Sequence, residues 1–295
     1  MKIQDAELIL NADGSIYHLH LQPEQIADNI ITVGDPDRVE RVSKYFDRVE
    51  HKVHKREFYT HTGYIGQKRL TVISTGIGTD NIDIVLNELD ALANVDLNNR
   101  TVKNSLKSLN IFRIGTSGAM RADIPVDSFL VSNFGVGMDG LLNYYDRTLN
   151  QRELALNRLI HECLKENVVA IGVQPTVAEA SSALISLFEK KEWYQGITLT
   201  ATGFYAPQNR MIRAKPLLSD LFTKLEDISF EGLKITNLEM ETAAIFGLAN
   251  ILGHKAISLN AILANRRSGQ FSADPDKVVD KLIQETLEII VNSPL

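Results

Sequence analysis

The 295-residue sequence predicts an α/β protein organised around a largely parallel central sheet. Short Val/Ile-rich runs alternate with longer stretches of helical periodicity, which is the pattern of strands joined by crossover helices. Three of the strand ends carry Gly-rich turns, at 33–38, 74–79 and 113–118. No Pro/Ser/Gly-rich linker and no internal repeat divides the chain, so residues 1–295 are expected to form one domain.

In order along the chain, Asn29–Val33 reads as a strand, and Pro36 starts a helix over 36–46. Val49–Ile65 alternates polar and apolar residues and reads as an extended hairpin pair. Arg69–Thr75 is a strand and 79–95 a helix. The polar segment 96–110 has a basic tilt and reads as a surface excursion before a buried strand at Ile111–Ile114. Strands are then expected at Ser128–Asn133, Val168–Gln174, Ile197–Thr202, Leu233–Leu238 and Lys255–Ala261. Helices are expected at 151–166, 178–190, 216–227, 240–252 and 275–292.

Composition narrows the function. The formal net charge of −6 and a pI near 5.7 argue against a nucleic-acid binder, which would present a basic face. No apolar run approaches the roughly 18 residues that span a bilayer. Asp5 and Glu7 break any apolar signal core, so a cytoplasmic protein with no membrane partner is expected. Cys163 is the single cysteine and cannot form an intrachain disulfide, which suits a reducing compartment.

Several motifs promise more than their context allows. Gly135-Val-Gly-Met-Asp-Gly140 spells GxGxxG, but the helix, second strand and acid of a dinucleotide fold do not follow at the right spacing, and a mobile glycine loop is expected instead. Gly115-Thr-Ser-Gly118 lacks the last glycine of a nucleophile elbow, so Ser117 is a poor hydrolytic nucleophile. His51 and His54 stand three apart on an expected strand and face opposite sides, and with one Cys and seven His no metal site is expected.

Three segments carry chemistry. Arg38 follows the glycine turn GDPDRV in the first turn of a helix, and Arg113 lies inside an apolar strand before a turn bearing Thr116 and Ser117. Guanidinium groups, hydroxyls and exposed N–H groups at strand ends are what phosphate recognition requires. Arg38 could equally be a solvated helix residue, and Arg113 could pair with a buried acid. Glu239 and Glu241 stand at a strand-to-helix junction, where residues two apart face the same way if the chain is still extended. Carboxylates there can accept from vicinal hydroxyls of a sugar, or can answer the helix dipole. The segment 200–216 combines Phe204, Gln208 and Arg210, an aromatic face with an amide and a guanidinium that match a planar imide edge such as that of uracil.

Taken together, the segments YHLHL (17–21), VGDPDRV (33–39), KREF (55–58), STGIG (74–78), RIGTSGA (113–119), GFYAPQNR (203–210), NLEMET (237–242) and NR (265–266) resemble the nucleoside phosphorylase superfamily. The F-Y-x-x-Q-x-R pattern resembles its uridine phosphorylase branch in particular. The resemblance implies a three-layer α/β/α fold with a central mixed sheet. It implies that Gly34, Arg38, Arg113 and Thr116 bind phosphate, joined by Arg56 of a neighbouring subunit. Met240 and Glu241 would hold ribose with Glu239 lining the site, and His18 of the neighbour would reach the 5′-hydroxyl. Phe204, Gln208 and Arg210 would recognise uracil, with Arg38, Arg113, Glu241, Gln208 and Arg210 carrying the catalysis.

Arg266 matches an arginine that supports base recognition in that branch, where purine enzymes of the family place an Asp. The adjacent Arg267 is a second candidate for the same place. The 96–110 excursion and the stretch SNFGVGMDGLLNYY depart from bacterial members. The implied reaction is reversible phosphorolysis of uridine to uracil and ribose 1-phosphate, in a homo-oligomer that is at least a dimer and by resemblance a hexamer. No metal, organic cofactor or covalent enzyme intermediate is implied. A structural monovalent cation between subunits, near Glu57 and Ser74, is the one inorganic partner besides phosphate that the resemblance suggests. The alternatives are a purine nucleoside phosphorylase, a nucleoside hydrolase on the same fold, and a non-catalytic nucleoside- or phosphate-binding protein.

Overall fold

The computed structural model describes residues 2–217 and 221–295. The first half of the chain runs β1 (Asn29–Val33), α1 (Asp37–Ser43), β2 (Arg48–Lys55), β3 (Phe58–Ile65), β4 (Lys68–Ser74), α2 (Thr79–Asn94), β5 (Val95–Asp96), β6 (Thr101–Val102) and β7 (Asn110–Ala119). The second half runs β8 (Phe129–Gly137), α3 (Gln151–Ile171), β9 (Thr176–Glu179), α4 (Ser182–Ile185), β10 (Tyr194–Thr200), α5 (Leu221–Glu226), β11 (Ser229–Phe230), β12 (Leu233–Glu239), α6 (Thr242–Leu252), β13 (Lys255–Asn265), β14 (Gln270–Phe271) and α7 (Pro275–Asn292). One mixed sheet has the order β11-β12-β10-β8-β13-β7-β1-β4-β3-β2. A further pairing of β12 with β7, Asn237↔Ala119 and Leu238↔Gly118, closes five of these strands into a barrel.

The layers follow from the alternation of apolar side chains. Ile30, Ile73 and Ile111 face α2 and α6, packing on Ile82, Leu86, Ala244 and Leu248. Ile31, Val33, Phe112 and Ile114 face α1 and α7, packing on Val39, Val42, Leu282 and Ile283. Helices therefore cover both faces, and the strand ends between them carry the site. The hairpin expected over 49–65 is β2 against β3, antiparallel. The 96–110 excursion is mostly exposed, with a two-residue ribbon, β5 on β6, and Leu97 and Leu109 turned inward.

Several local expectations fail for identifiable reasons. Residues 168–171 of the expected strand continue α3, because a short Val/Ile run fits a helix as well as a strand and the preceding helix propagates until Gly172, at φ +71°, ends it. The start of the expected helix at 178–190 is extended: Thr176–Glu179 pairs antiparallel with β8, leaving only the short α4 and a 3-10 turn at Ser186–Phe188. Of the helix expected at 216–227, residues 218–220 lie outside the described residues, and Leu221–Glu226 is helical.

The first half of the mobile loop expected at 135–140 is instead strand. Gly135 and Gly137 belong to β8, and a Cβ at Gly135 would stand 2.6 Å from Cα of Ala243 in α6. Glycine lets the helix approach the strand there, so close packing, and not mobility, explains the motif. Likewise 113–118 is not a turn. β7 runs on to Ala119, held by the parallel partner β13 from Asn110↔Lys255 to Ala119↔Asn265, so its backbone is committed to the sheet.

Candidate functional site

The β1–α1 and β12–α6 junctions, strand β7 and the loop after β10 converge on a cavity of about 660 Å³. β1 and α1 supply Gly34 and Arg38, β7 supplies Arg113, Thr116 and Ser117, and the β12–α6 junction supplies Glu239, Met240 and Glu241. The loop after β10 supplies Phe204, Gln208 and Arg210. The cavity thus has two basic groups and two acids at one end and a Gln–Arg–aromatic set at the other.

Arg113 is the electrostatic centre. It is 7% exposed, and its Nη2 lies 2.6 Å from Glu241 Oε2 and 2.9 Å from Glu239 Oε2. Its Nη1 donates to Asn260 Oδ1 at 3.0 Å. Burial alone would depress the guanidinium, but the two carboxylates outweigh it and hold Arg113 above its ordinary range. Burial pushes the Glu239 carboxyl up, against the opposing pull of Arg113. The expected pairing with buried acids is therefore present, and the same arginine lines the cavity. Gly115 is what gives it room, since a Cβ there would stand 1.8 Å from Arg113 Nη1. Arg38, half-buried, donates from Nη1 to Ile114 O at 3.3 Å. Burial, then the neighbouring Arg113, lowers its guanidinium to about 10.

The two glutamates reach Arg113 as the extended-chain expectation required, Glu239 as the last residue of β12 and Glu241 at φ −138° before α6. Glu239 also accepts from the Glu241 and Thr242 N–H groups at 3.0 Å, which caps α6 and makes the dipole reading true of this residue. Glu241 accepts from the Gly78 N–H at 2.8 Å, so the start of α2 fixes its other oxygen.

At the far end, Gln208 is 2% exposed and its Oε1 accepts from Arg210. Arg210 donates to Phe204 O at 2.9 Å and lies over the Phe204 ring at 3.9 Å. Phe204 itself is half exposed at the cavity mouth. Arg266 donates to Gln208 O and to Asn209 O, whereas Arg267 turns away to Glu226. Of the two adjacent arginines, Arg266 is the one that braces the Gln208 segment.

His18 and Arg56 do not line this cavity. His18 Nδ1 sits 2.6 Å from Glu88 Oε1, and Arg56 is exposed at the β2–β3 turn with φ +55°. Ser74 Oγ donates to Glu57 O at 2.6 Å and accepts from the Tyr59 N–H at 2.7 Å, so this hydroxyl is already engaged on both sides. Sequence reasoning missed Phe271, placed at the rim by the short β13–β14 pairing, and Asn260 behind Arg113. The signal for Asn260 was available, as Ser258 and Asn260 alternate with apolar residues inside a buried strand.

The description "phosphorylase superfamily" fits a family model that matches residues 28–293. A uridine phosphorylase of Thermococcus kodakarensis is 27% identical over 98% of this chain and 91% of its own length. The solved structure of a Trypanosoma brucei nucleoside phosphorylase that shows uridine phosphorylase activity matches with a TM-score of 0.86 and 27% identity, over 97% of this chain and all of that one. A purine nucleoside phosphorylase of Vibrio parahaemolyticus is 23% identical over 93% of this chain and 98% of its own.

Proposed function

The chain belongs to the phosphorylase superfamily, and on that premise we propose that it catalyses the reversible phosphorolysis of uridine to uracil and ribose 1-phosphate. The observation that carries this reading is one cavity with two guanidinium groups beside two carboxylates at one end and a Gln–Arg pair at the other. Arg38 and Arg113, with Gly34 and Thr116, hold phosphate. Glu241, already fixed by Gly78 and Arg113, accepts from the ribose hydroxyls, with Met240 and Glu239 lining the sugar. Gln208 and Arg210 meet the uracil edge, and Phe204 covers its face.

The reaction follows from those positions. A phosphate oxygen forms a bond to C1′ while the C1′–N1 bond breaks, and its electron pair leaves with uracil. The transition state resembles an oxocarbenium ion between phosphate and the departing base. Holding both reactants in line removes the entropic cost of their encounter from the chemical step. Donors from Arg210 and Gln208 stabilise negative charge growing on the uracil oxygens, as donors in an oxyanion hole do. His18 and Arg56 complete the site from a neighbouring subunit, so the working form is at least a dimer, with a hexamer favoured by resemblance. The protein works in the cytoplasm; a lone cysteine supports this, and no helix among the described residues is long and apolar enough to cross a membrane.

Absorbance-monitored cleavage of uridine and of inosine, each with and without phosphate, tests the reading. Uridine loss only with phosphate is expected. Cleavage without phosphate would make the enzyme a hydrolase, and preference for inosine would overturn the base assignment.

A further inference from the structure

Behind the cavity, a chain of buried polar side chains crosses the closed barrel. Arg113 Nη1 donates to Asn260 Oδ1 at 3.0 Å, and Asn260 Nδ2 donates to Ser132 Oγ at 3.3 Å. Ser132 Oγ and Thr198 Oγ1 are 2.6 Å apart, Thr198 donates to Asn237 Oδ1 at 2.8 Å, and Asn237 Nδ2 donates to Ser117 Oγ at 2.9 Å. Asn260, Ser132, Thr198 and Asn237 are fully buried. The chain starts and ends on β7, having passed through β13, β8, β10 and β12.

Its polarity is dictated at one end. A guanidinium can only donate, so the Asn260 carbonyl must face Arg113 and its NH₂ must face acceptors. The NH₂ group finds them in Ser132 Oγ and in Ser258 Oγ at 3.2 Å. Thr198 spends its proton on Asn237, so Ser132 donates to Thr198. Ser117 Oγ is left as an acceptor, and its own proton is free for the cavity it lines. Every member has one orientation available, which is what locks Asn260 in place.

Asn260 also differs in charge from the two glutamates that grip Arg113. Nη2 is held by two carboxylates. Nη1 is held by a neutral carbonyl, which fixes the plane of the guanidinium without adding a third negative charge to a site that must accept an anion. Asn260 lines no part of the cavity, so it acts only through Arg113. We propose that Asn260 is a positioning residue for the phosphate step, a neutral anchor that orients the Arg113 guanidinium toward its anion. This rests on Arg113 being a phosphate ligand.

The test compares wild type, Asn260→Ala and Asn260→Asp by uridine phosphorolysis at varied phosphate and by calorimetric binding of inorganic phosphate. Losing a hydrogen bond to a charged group should raise the phosphate KM and Kd of Asn260→Ala by about tenfold or more, with the uridine KM within about twofold of wild type. Asn260→Asp should bind phosphate nearly normally at acidic pH and progressively worse as its new carboxyl ionises, a pH dependence that wild type lacks. Equal changes in both KM values, or a lower melting temperature with unchanged phosphate binding, would overturn the proposal. So would an Asp variant whose pH profile runs parallel to wild type. If wild type binds phosphate but leaves uridine intact, the reaction assignment falls while the binding comparison still decides the role of Asn260.

Discussion

Replacing Gly115 by alanine tests the core of the site with a single methyl group. The new Cβ would stand 1.8 Å from Arg113 Nη1, 2.4 Å from Cζ and 2.8 Å from Nη2, where ordinary contact begins near 3.4 Å. The guanidinium would have to retreat by about 1.6 Å, the gap between those limits. Side chains usually yield to such a clash at little cost, but this one is held at 2.6 Å by Glu241, 2.9 Å by Glu239 and 3.0 Å by Asn260. The retreat breaks these contacts and leaves two buried carboxylates poorly matched, a loss on the order of 3–5 kcal/mol in stability. A phosphate ligand displaced by more than 1 Å should also lower kcat/KM for phosphate by about a hundredfold or more. Steady-state phosphorolysis at varied phosphate, alongside thermal unfolding, reads both quantities. An alanine variant with wild-type phosphate kinetics and melting temperature would refute the reasoning, because it would mean that the guanidinium is not held where the charges place it.

Three further outcomes are expected. Arg266→Ala removes two hydrogen bonds to the Gln208 and Asn209 carbonyls and should raise the uridine KM by about tenfold or more, while Arg267→Ala leaves it unchanged; similar kinetics for the two variants would remove Arg266 from base recognition. If neighbouring subunits exchange Arg56, inactive Arg38→Ala and Arg56→Ala enzymes, dissociated and reassociated as mixed dimers, should regain about a quarter of wild-type activity, since half the dimers then hold one intact site. No regain on mixing would place every catalytic group on one chain. His61, lowered to about 4 by burial and hydrogen-bonded through Nδ1 to Ser43 at 2.7 Å, is neutral in the folded protein. Its stabilising contribution is complete above its ordinary value of 6.5 and is lost as pH falls from there toward 4, so the gap in melting temperature between wild type and His61→Gln should vary across that window; a gap independent of pH would count against it.

The layers, most elements and the cavity residues were legible because each left a local mark. Asn29–Val33 and 275–292 carry continuous or periodic apolar patterns that tertiary contacts then satisfied, so their bounds agree with the structure. Glu239 and Glu241 could be placed on one side because alternation along an extended chain is a geometric fact. What failed was decided by partners distant in sequence. Thr176–Glu179 is a strand only because β8 lies beside it, and 113–118 is not a turn only because β13 runs alongside to Asn265. The glycines of 135–137 looked like flexibility, but they mark the passage of α6, which nothing local in the sequence reveals. The shared-subunit roles of His18 and Arg56 rest on resemblance, and that of Arg56 has its own test in the mixing experiment.

The β12–β7 closure also fixes the order of events during synthesis. Arg113 is separated from Glu241 by 128 residues and from Asn260 by 147. At translation rates of about 5–20 residues per second, the arginine waits on the order of ten seconds before any counter-charge for it exists. A nascent chain that ends before β12 cannot bury Arg113 without stranding a cation, so the barrel has no stable half-built form around its centre. Such long-range pairing slows folding and makes it cooperative. A chain that can hold Arg113 between its carboxylates and Asn260 is therefore one finished almost to its last helix.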